Sequence, residues 1–350
     1  MNTLPKISII LPSLNQIRFP PERFNSILQQ TWTNWDLIVV DNYSDDGAWE
    51  LIQSLATQDN RIHTFQFPRQ GLYANWNNGL KLAKGDYIYM ATNDDTMTID
   101  CLEKMATALE KYPQCDICHT ILTAMDESGK IIHGWREKNL PARFYGDCMN
   151  KLHIRNAPYD GILYCALSTV YLGPLQLLIR RSVFEKIGYF RDDWGSEGDF
   201  EWGMRAALVS NTLHLPERLT FWRIHPQQST SQKAYQSAAQ KQRYLDMMES
   251  AFEQFQAFNP DFYHKLQPER LAFIYRRQQL RATLKDFSSW LEKLAYILQI
   301  MSQYPQFMLQ FLYRRCCFTR DQEDDFNYIH QELKRLGLEN AIQSIENTII

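Results

Sequence analysis

Two adjacent carboxylates, Asp94 and Asp95, follow the run Asp86-Tyr87-Ile88-Tyr89-Met90-Ala91-Thr92-Asn93. A short apolar strand pattern thus empties into an acidic turn. In a parallel α/β sheet, ligands bind outside the carboxyl ends of the strands. A carboxylate pair there can hold a divalent cation, and Mg²⁺ uses one or two carboxylates together with phosphate oxygens. An Asn-Asp-Asp turn also satisfies purely local backbone needs, so the surrounding elements have to decide between the two readings.

Those elements alternate regularly. Lys6-Ile7-Ser8-Ile9-Ile10-Leu11 and Asp36-Leu37-Ile38-Val39-Val40-Asp41 are nearly continuous apolar runs, as expected of strands buried on both faces. Arg61 to Phe67 alternates like a strand nearer an edge. Helical patterns lie between them: from Pro21 through Phe24, Ile27 and Leu28, then over 48–56 and 73–83, with Gly85 expected to cap the last. This βαβαβαβ order predicts a mostly parallel α/β sheet flanked by helices. Two of its strands end at acidic residues, Asp41 and Asp94. Clustered carboxylates repel unless a cation or hydrogen-bond donors compensate, which favours the functional reading.

Further on, 135–172 shows no clear period and mixes Pro, Gly and aromatic residues. Long irregular connections tend to be functional or disordered, and the aromatic content argues for order. A strand at 175–179 and a helix from Ser182 to Ile187, stopped by Gly188, follow. Beyond about 230 the composition shifts to helix formers. Apolar stripes run through Leu245, Met248, Phe252 and Phe255, then Leu271, Ile274 and Tyr275, then Leu291, Leu294, Ile297 and Leu298. Two domains are expected, 1–230 and an all-helical 231–350.

The net charge of −3 gives no electrostatic footprint for nucleic acid. No basic-then-apolar leader and no run of about 18 apolar residues is visible. Seven scattered cysteines fit reduced thiols. A cytoplasmic protein is expected. Cys115-Asp116-Ile117-Cys118-His119 matches the spacing of covalent haem attachment, but that chemistry needs export, so the segment reads better as a strand before the Asp126–Lys130 turn. Tyr304, Phe307, Phe311, Tyr313, Arg314, Arg315 and Phe318 mix aromatic and basic residues. Such a mixture suits a membrane surface, helix packing or a homo-oligomer contact.

Several segments together resemble family 2 glycosyltransferases of the GT-A fold. They are Ile9 to Asn15, Val39 to Gly47, Gly71 to Leu80 with 83–88, and Asn93-Asp94-Asp95 at the place of the family's D-x-D motif. The resemblance continues through Leu178 to Phe190, Glu197 to Arg205 and Phe221 to Pro226, so it covers about 6–230. It implies a nucleoside-diphosphate sugar as donor, a saccharide or lipid-linked acceptor, and Mn²⁺ or Mg²⁺ held by Asp94, Asp95 and His225. Asp199 matches the family's general base, which implies inversion at the anomeric carbon. Asp41 would read the base or ribose, Pro12 and Asn15 would wall that pocket, and Tyr43, Asp46 and Asn77 would stand on the nucleotide side. Thr92 stands where the first D is usual, and Gly198 where Glu is usual. Glu197, one residue earlier, is a second candidate for the base or its orienting partner. A nucleotidyltransferase, or a catalytically weakened sugar-nucleotide-binding protein, are the alternatives.

Overall fold

The structure, a computed structural model, describes residues 4–18, 20–167, 169–226, 228, 238–317 and 322–345. Among these, ten strands form one mixed sheet. In chain order they are β1 (Ile7–Ser13), β2 (Trp35–Asp41), β3 (Ile62–Gln66), β4 (Tyr87–Met90) and β5 (Thr96–Met97). Then come β6 (Ile117–Met125), β7 (His153–Arg155), β8 (Leu177–Arg180), β9 (Thr212–Arg223) and β10 (Ile342–Ser344). Their spatial order is β10-β7-β9-β6-β8-β4-β1-β2-β3, with β5 on β9.

The block β4-β1-β2-β3 is parallel throughout, as the alternation predicts. Every residue of β1 and β2 is buried, which is why both read as apolar runs without a period. In β3 only Ile62 is buried, and β3 is an edge. The register aligns Ser13 with Asp41 and Asp41 with Gln66. The carboxyl ends of these strands therefore open on one side of the sheet.

The helix Leu72–Leu82 lies so close to β1 that a Cβ on Gly79 would overlap Ile10 Cγ2. Gly85 is not the cap of that helix, whose C-terminal cap is Ala83. Gly85 is required because a Cβ there would meet the Ser8 backbone nitrogen at 2.5 Å and Lys6 O at 2.8 Å. Sequence context could suggest a cap, but the true constraint is a neighbouring strand.

The 135–172 stretch contains the helices Leu140–Tyr145 and Tyr159–Leu167 and strand β7. It shows no period because Tyr159–Leu167 is apolar on more than one face, with Ile162, Leu163 and Tyr164 all at most 1% exposed. It packs on Gly198–Val209, where Gly203 leaves room for the Tyr164 ring. Cys115 and Cys118 are buried free thiols, Cys118 within β6. His119, also in β6, lies in a buried cluster with His153 of β7 and His214 of β9.

After 237 the described chain is helical except for β10, which pairs antiparallel with β7. The first two apolar stripes are buried. The third is not: Leu291, Leu294 and Leu298 are 61%, 44% and 56% exposed. Its helix, Trp290–Gln303, is amphipathic but turns this face to solvent, with Ile300 buried. Of the aromatic-basic run, the side chains of Arg314 and Arg315 and all of Phe318 lie outside the described residues. One hydrophobic cluster runs from Ile10 and Trp76 through Trp202 to Tyr275 and Tyr328, so the core crosses the 230 boundary. No described helix is long and apolar enough to cross a membrane.

Candidate active site

A cavity of about 660 Å³ opens at the carboxyl ends of the parallel strands. Pro12 and Ser13 from β1, Asn42 after β2 and Thr92 to Asp95 after β4 form part of its wall. Tyr73, Asn75 and Trp76 come from Leu72–Leu82, and Asp199 from Gly198–Val209.

The acidic turn divides its two carboxylates between two tasks. Asp94 lines the cavity, with Oδ2 3.0 Å from His225 Nε2, in hydrogen-bond contact. Asp95 points inward and is 1% exposed. Its Oδ1 accepts from the Arg223 backbone N–H at 2.8 Å, and its Oδ2 accepts from the Thr92 hydroxyl. Burial first, and the Asp94 charge second, push Asp95 up to about 8. Asp95 thus braces the turn against β9, with both oxygens already engaged, and is a poorer metal ligand than the adjacent pair suggests. Thr92, at the position of the missing carboxylate, is a donor in that brace.

Arg223 completes it. Its buried guanidinium donates from Nε to Asp94 O at 2.8 Å and from Nη2 to Glu22 Oε2 at 2.6 Å. Asn93 ties the same turn to β1 by donating to Pro12 O at 2.7 Å. Neither Arg223 nor Glu22 is identifiable as a site residue from sequence, since their roles exist only once β9 reaches the turn.

Asp199 sits in the first turn of its helix and accepts a hydrogen bond from Tyr73 Oη at 2.8 Å. Burial pushes its carboxyl up to about 6, while the Tyr73 hydroxyl opposes that rise. A partly ionised carboxylate on a cavity wall is a suitable general base near neutral pH. Glu197 does not share this position. It is 3% exposed and is held by Gln240 and Arg243 of the helix Ala238–Phe258. It therefore is not placed to act as a second base.

The remaining candidates mostly stitch loops together. Asn15, with φ 48°, exchanges hydrogen bonds with Asp45, donating from Nδ2 to Oδ1 at 2.7 Å and accepting from the Asp45 N–H at 2.9 Å. Asp46 accepts from the backbone of Ile17 and Ala48. Asp41 is fully buried and accepts from Ser44 N–H at 2.9 Å and Ser44 Oγ at 2.6 Å. Tyr43, with φ 55°, is 54% exposed. Of this nucleotide-side group, Pro12 alone lines the cavity.

Asn77 turns away from the cavity as well. Its Nδ2 donates to Phe190 O at 2.7 Å, and its Oδ1 accepts from Phe190 N–H at 3.0 Å. Two residues earlier on the helix, Asn75 faces the cavity and pairs with Asn42. Successive positions differ by about 100° around a helix, so choosing among Asn75, Asn77 and Asn78 needs the helix orientation. Asn42 carries a weak signal of its own, directly following Asp41 at the end of a buried strand.

No group of three His, Cys, Asp or Glu side chains among the described residues could enclose a metal. Asp94 and His225 nevertheless fit a cation that keeps several positions open for phosphate and water, as Mg²⁺ does. They are an oxygen and a nitrogen donor already in contact, and Asp94 faces a cavity large enough for a ligand.

Comparison with known proteins bears on the family and the fold. EpsE of Bacillus subtilis (strain 168) is 32% identical over 165 residues, 45% of this chain and 59% of EpsE. TuaG of the same organism is 30% identical over 137 residues, 38% of this chain and 54% of TuaG. The matched stretch thus spans little more than half of either relative. Residues 1–349 of TarS from S. aureus superpose with a TM-score of 0.57 at 14% identity, covering 95% of this chain and 92% of that one. That fold likeness includes the helical C-terminal region. The model of the family described as "Glycosyl transferase family 2" matches residues 8–188. It runs from β1 through the helix Arg181–Ile187, more than half of the chain, and the chain belongs to glycosyl transferase family 2.

Proposed function

We propose that this chain is an inverting glycosyltransferase that moves a sugar from a nucleoside-diphosphate sugar to a hydroxyl of a saccharide or lipid-linked acceptor. The supporting observation is that one cavity wall carries Asp94, in contact with His225, and also Asp199 with its carboxyl raised to about 6. Transfer needs charge stabilisation at the leaving diphosphate and a base at the attacking hydroxyl.

Asp199 takes the acceptor proton as the acceptor oxygen bonds to the anomeric carbon. The bond to the diphosphate breaks, and its electron pair leaves with the nucleoside diphosphate. Tyr73 holds the Asp199 carboxylate in place through Oδ1. Arg223 and Asp95 fix the backbone of the turn that aims Asp94. Asp94 and His225 would hold Mn²⁺ or Mg²⁺, and such a cation supplies Lewis-acid stabilisation of the departing diphosphate. One displacement with one base inverts the anomeric configuration.

The test is release of nucleoside diphosphate from a panel of nucleotide sugars with Mn²⁺ and mixed glycan acceptors. Acceptor-dependent release by wild type, lost by about 10²- to 10⁴-fold in Asp199→Asn, is expected. Release of pyrophosphate would make the chain a nucleotidyltransferase. Binding of a nucleotide sugar without turnover would make it a binding protein.

A further inference from the structure

The helix bearing Asp199 starts at Gly198, directly after Glu197. Although Glu197 occupies the N-cap position, its side chain makes no cap hydrogen bond to that helix. It reaches instead into the C-terminal region. Oε1 accepts from Gln240 Nε2 at 2.6 Å, and Oε2 accepts from Arg243 Nε at 2.9 Å. Glu197 is 4% exposed at its side chain and Gln240 is fully buried, whereas Arg243 is 44% exposed. A carboxylate this deep is tolerated only with partners, and here both come from one turn of the helix Ala238–Phe258. The adjacent Tyr244 stacks on Phe200, the residue after Asp199, with ring centroids 6.3 Å apart. Residues on both sides of Asp199 are therefore held by the same helix, which lies wholly outside the stretch that matches the family.

We propose that Glu197, Gln240 and Arg243 form a strut through which the C-terminal region positions Asp199 and balances the negative charge beside it. This rests on the reading of Asp199 as the base. Glu197 and Arg243 are positioning residues, since neither lines the cavity. The ionisable groups facing Asp199 are Tyr73 from Leu72–Leu82, Tyr164 from Tyr159–Leu167 and Glu197 from the preceding turn. Lys241 faces Glu197 from Ala238–Phe258, and Glu201 one turn onward is paired with Arg205 and Arg191. Removing the Arg243 charge leaves Glu197 with Gln240 and the more distant Lys241 charge alone, and makes Asp199 harder to ionise. Removing the Glu197 charge makes Asp199 easier to ionise.

The Asp199 titration can be followed without substrate, by carboxyl ¹³C NMR on the full chain, with the resonance assigned by its loss in Asp199→Asn. Arg243→Met is expected to move that titration up by about half a pH unit, limited by solvent screening of a half-exposed charge. Glu197→Gln is expected to move it down, and Arg243→Lys to restore the wild-type value. Turnover of whichever nucleotide sugar the panel identifies should fall about tenfold or more in Arg243→Met through kcat, with donor KM little changed. Movement in the same direction in both variants, or in neither, overturns the strut. A general loss of stability cannot produce opposite shifts. Full turnover by Asp199→Asn would sink the base assignment instead, while the NMR shifts would still report on the strut.

Discussion

Replacing Tyr73 with Phe removes one hydroxyl and keeps the ring that packs against Trp76 and Phe190. The hydroxyl donates to Asp199 Oδ1 at 2.8 Å, with Ser196 O 3.0 Å away. A hydrogen bond to an ionised carboxylate contributes about 1.5–3 kcal/mol. At about 1.4 kcal/mol per pH unit, its loss moves Asp199 up from about 6 to about 7–8. The base works in its ionised form, so the acid limb of the profile should follow. At pH 7 the ionised fraction drops from about nine tenths to between about a half and a tenth, a roughly two- to tenfold loss of rate. At pH 9 the variant should approach wild type. The assay is kcat/KM for nucleoside-diphosphate release between pH 5 and 9.5, at fixed metal and acceptor. A limb still centred near 6, or a loss of equal size at every pH, would refute the reasoning.

Three further outcomes are expected. An Asp199 carboxyl raised from 3.8 to about 6 contributes stability below 3.8 that is lost as pH rises through 6. Asp199→Asn should therefore be more stable than wild type in urea at pH 8, by at most about 3 kcal/mol and less where the cavity admits water, and not at pH 3; equal midpoints at pH 8 would count against it. Gly85→Ala should destabilise by about 1–3 kcal/mol, because the new methyl meets the fixed backbone of Lys6 and Ser8. A change below half a kcal/mol in denaturant unfolding would show that β1 can shift. Burial lowers His153 to about 4 and holds His119 and His214 well below their usual value. Stability that these neutral histidines contribute is present above about pH 6.5 and drains away as pH falls toward 4. The wild type should thus lose stability relative to His153→Asn over that window, and parallel pH dependence of the two proteins would be inconsistent with a neutral buried His153.

The parallel half of the fold was legible because its signals are local. Unbroken apolar runs at β1 and β2 mean strands covered on both faces, and the intervening periods mean crossover helices. The other half was harder for reasons that are equally physical. β10 is three residues long and gains its meaning from β7, nearly two hundred positions away in the chain. The helix Tyr159–Leu167 is buried on more than one face and so carries no amphipathic stripe. Trp290–Gln303 has the stripe and leaves it exposed, since periodicity reports that a face is apolar and not what covers it.

The same division runs through the site. Asp94, Asp199 and His225 are recognisable from their types and order along the chain, because the strands and turns that present them are locally encoded. Sequence by itself therefore determined the family, the parallel block of the sheet and the residues proposed to hold a cation or take a proton. Only the tertiary structure decided how those residues are used. Asp95 accepts from Arg223 across 128 positions, Asp199 from Tyr73 across 126, and Glu197 from Arg243 across 46. These contacts make Asp95 the brace of the turn that carries Asp94, hold Asp199 in place while burial raises it toward neutral pH, and withdraw Glu197 into a buried pair. Burial and partnership set what a carboxylate does, and both are properties of the packed chain.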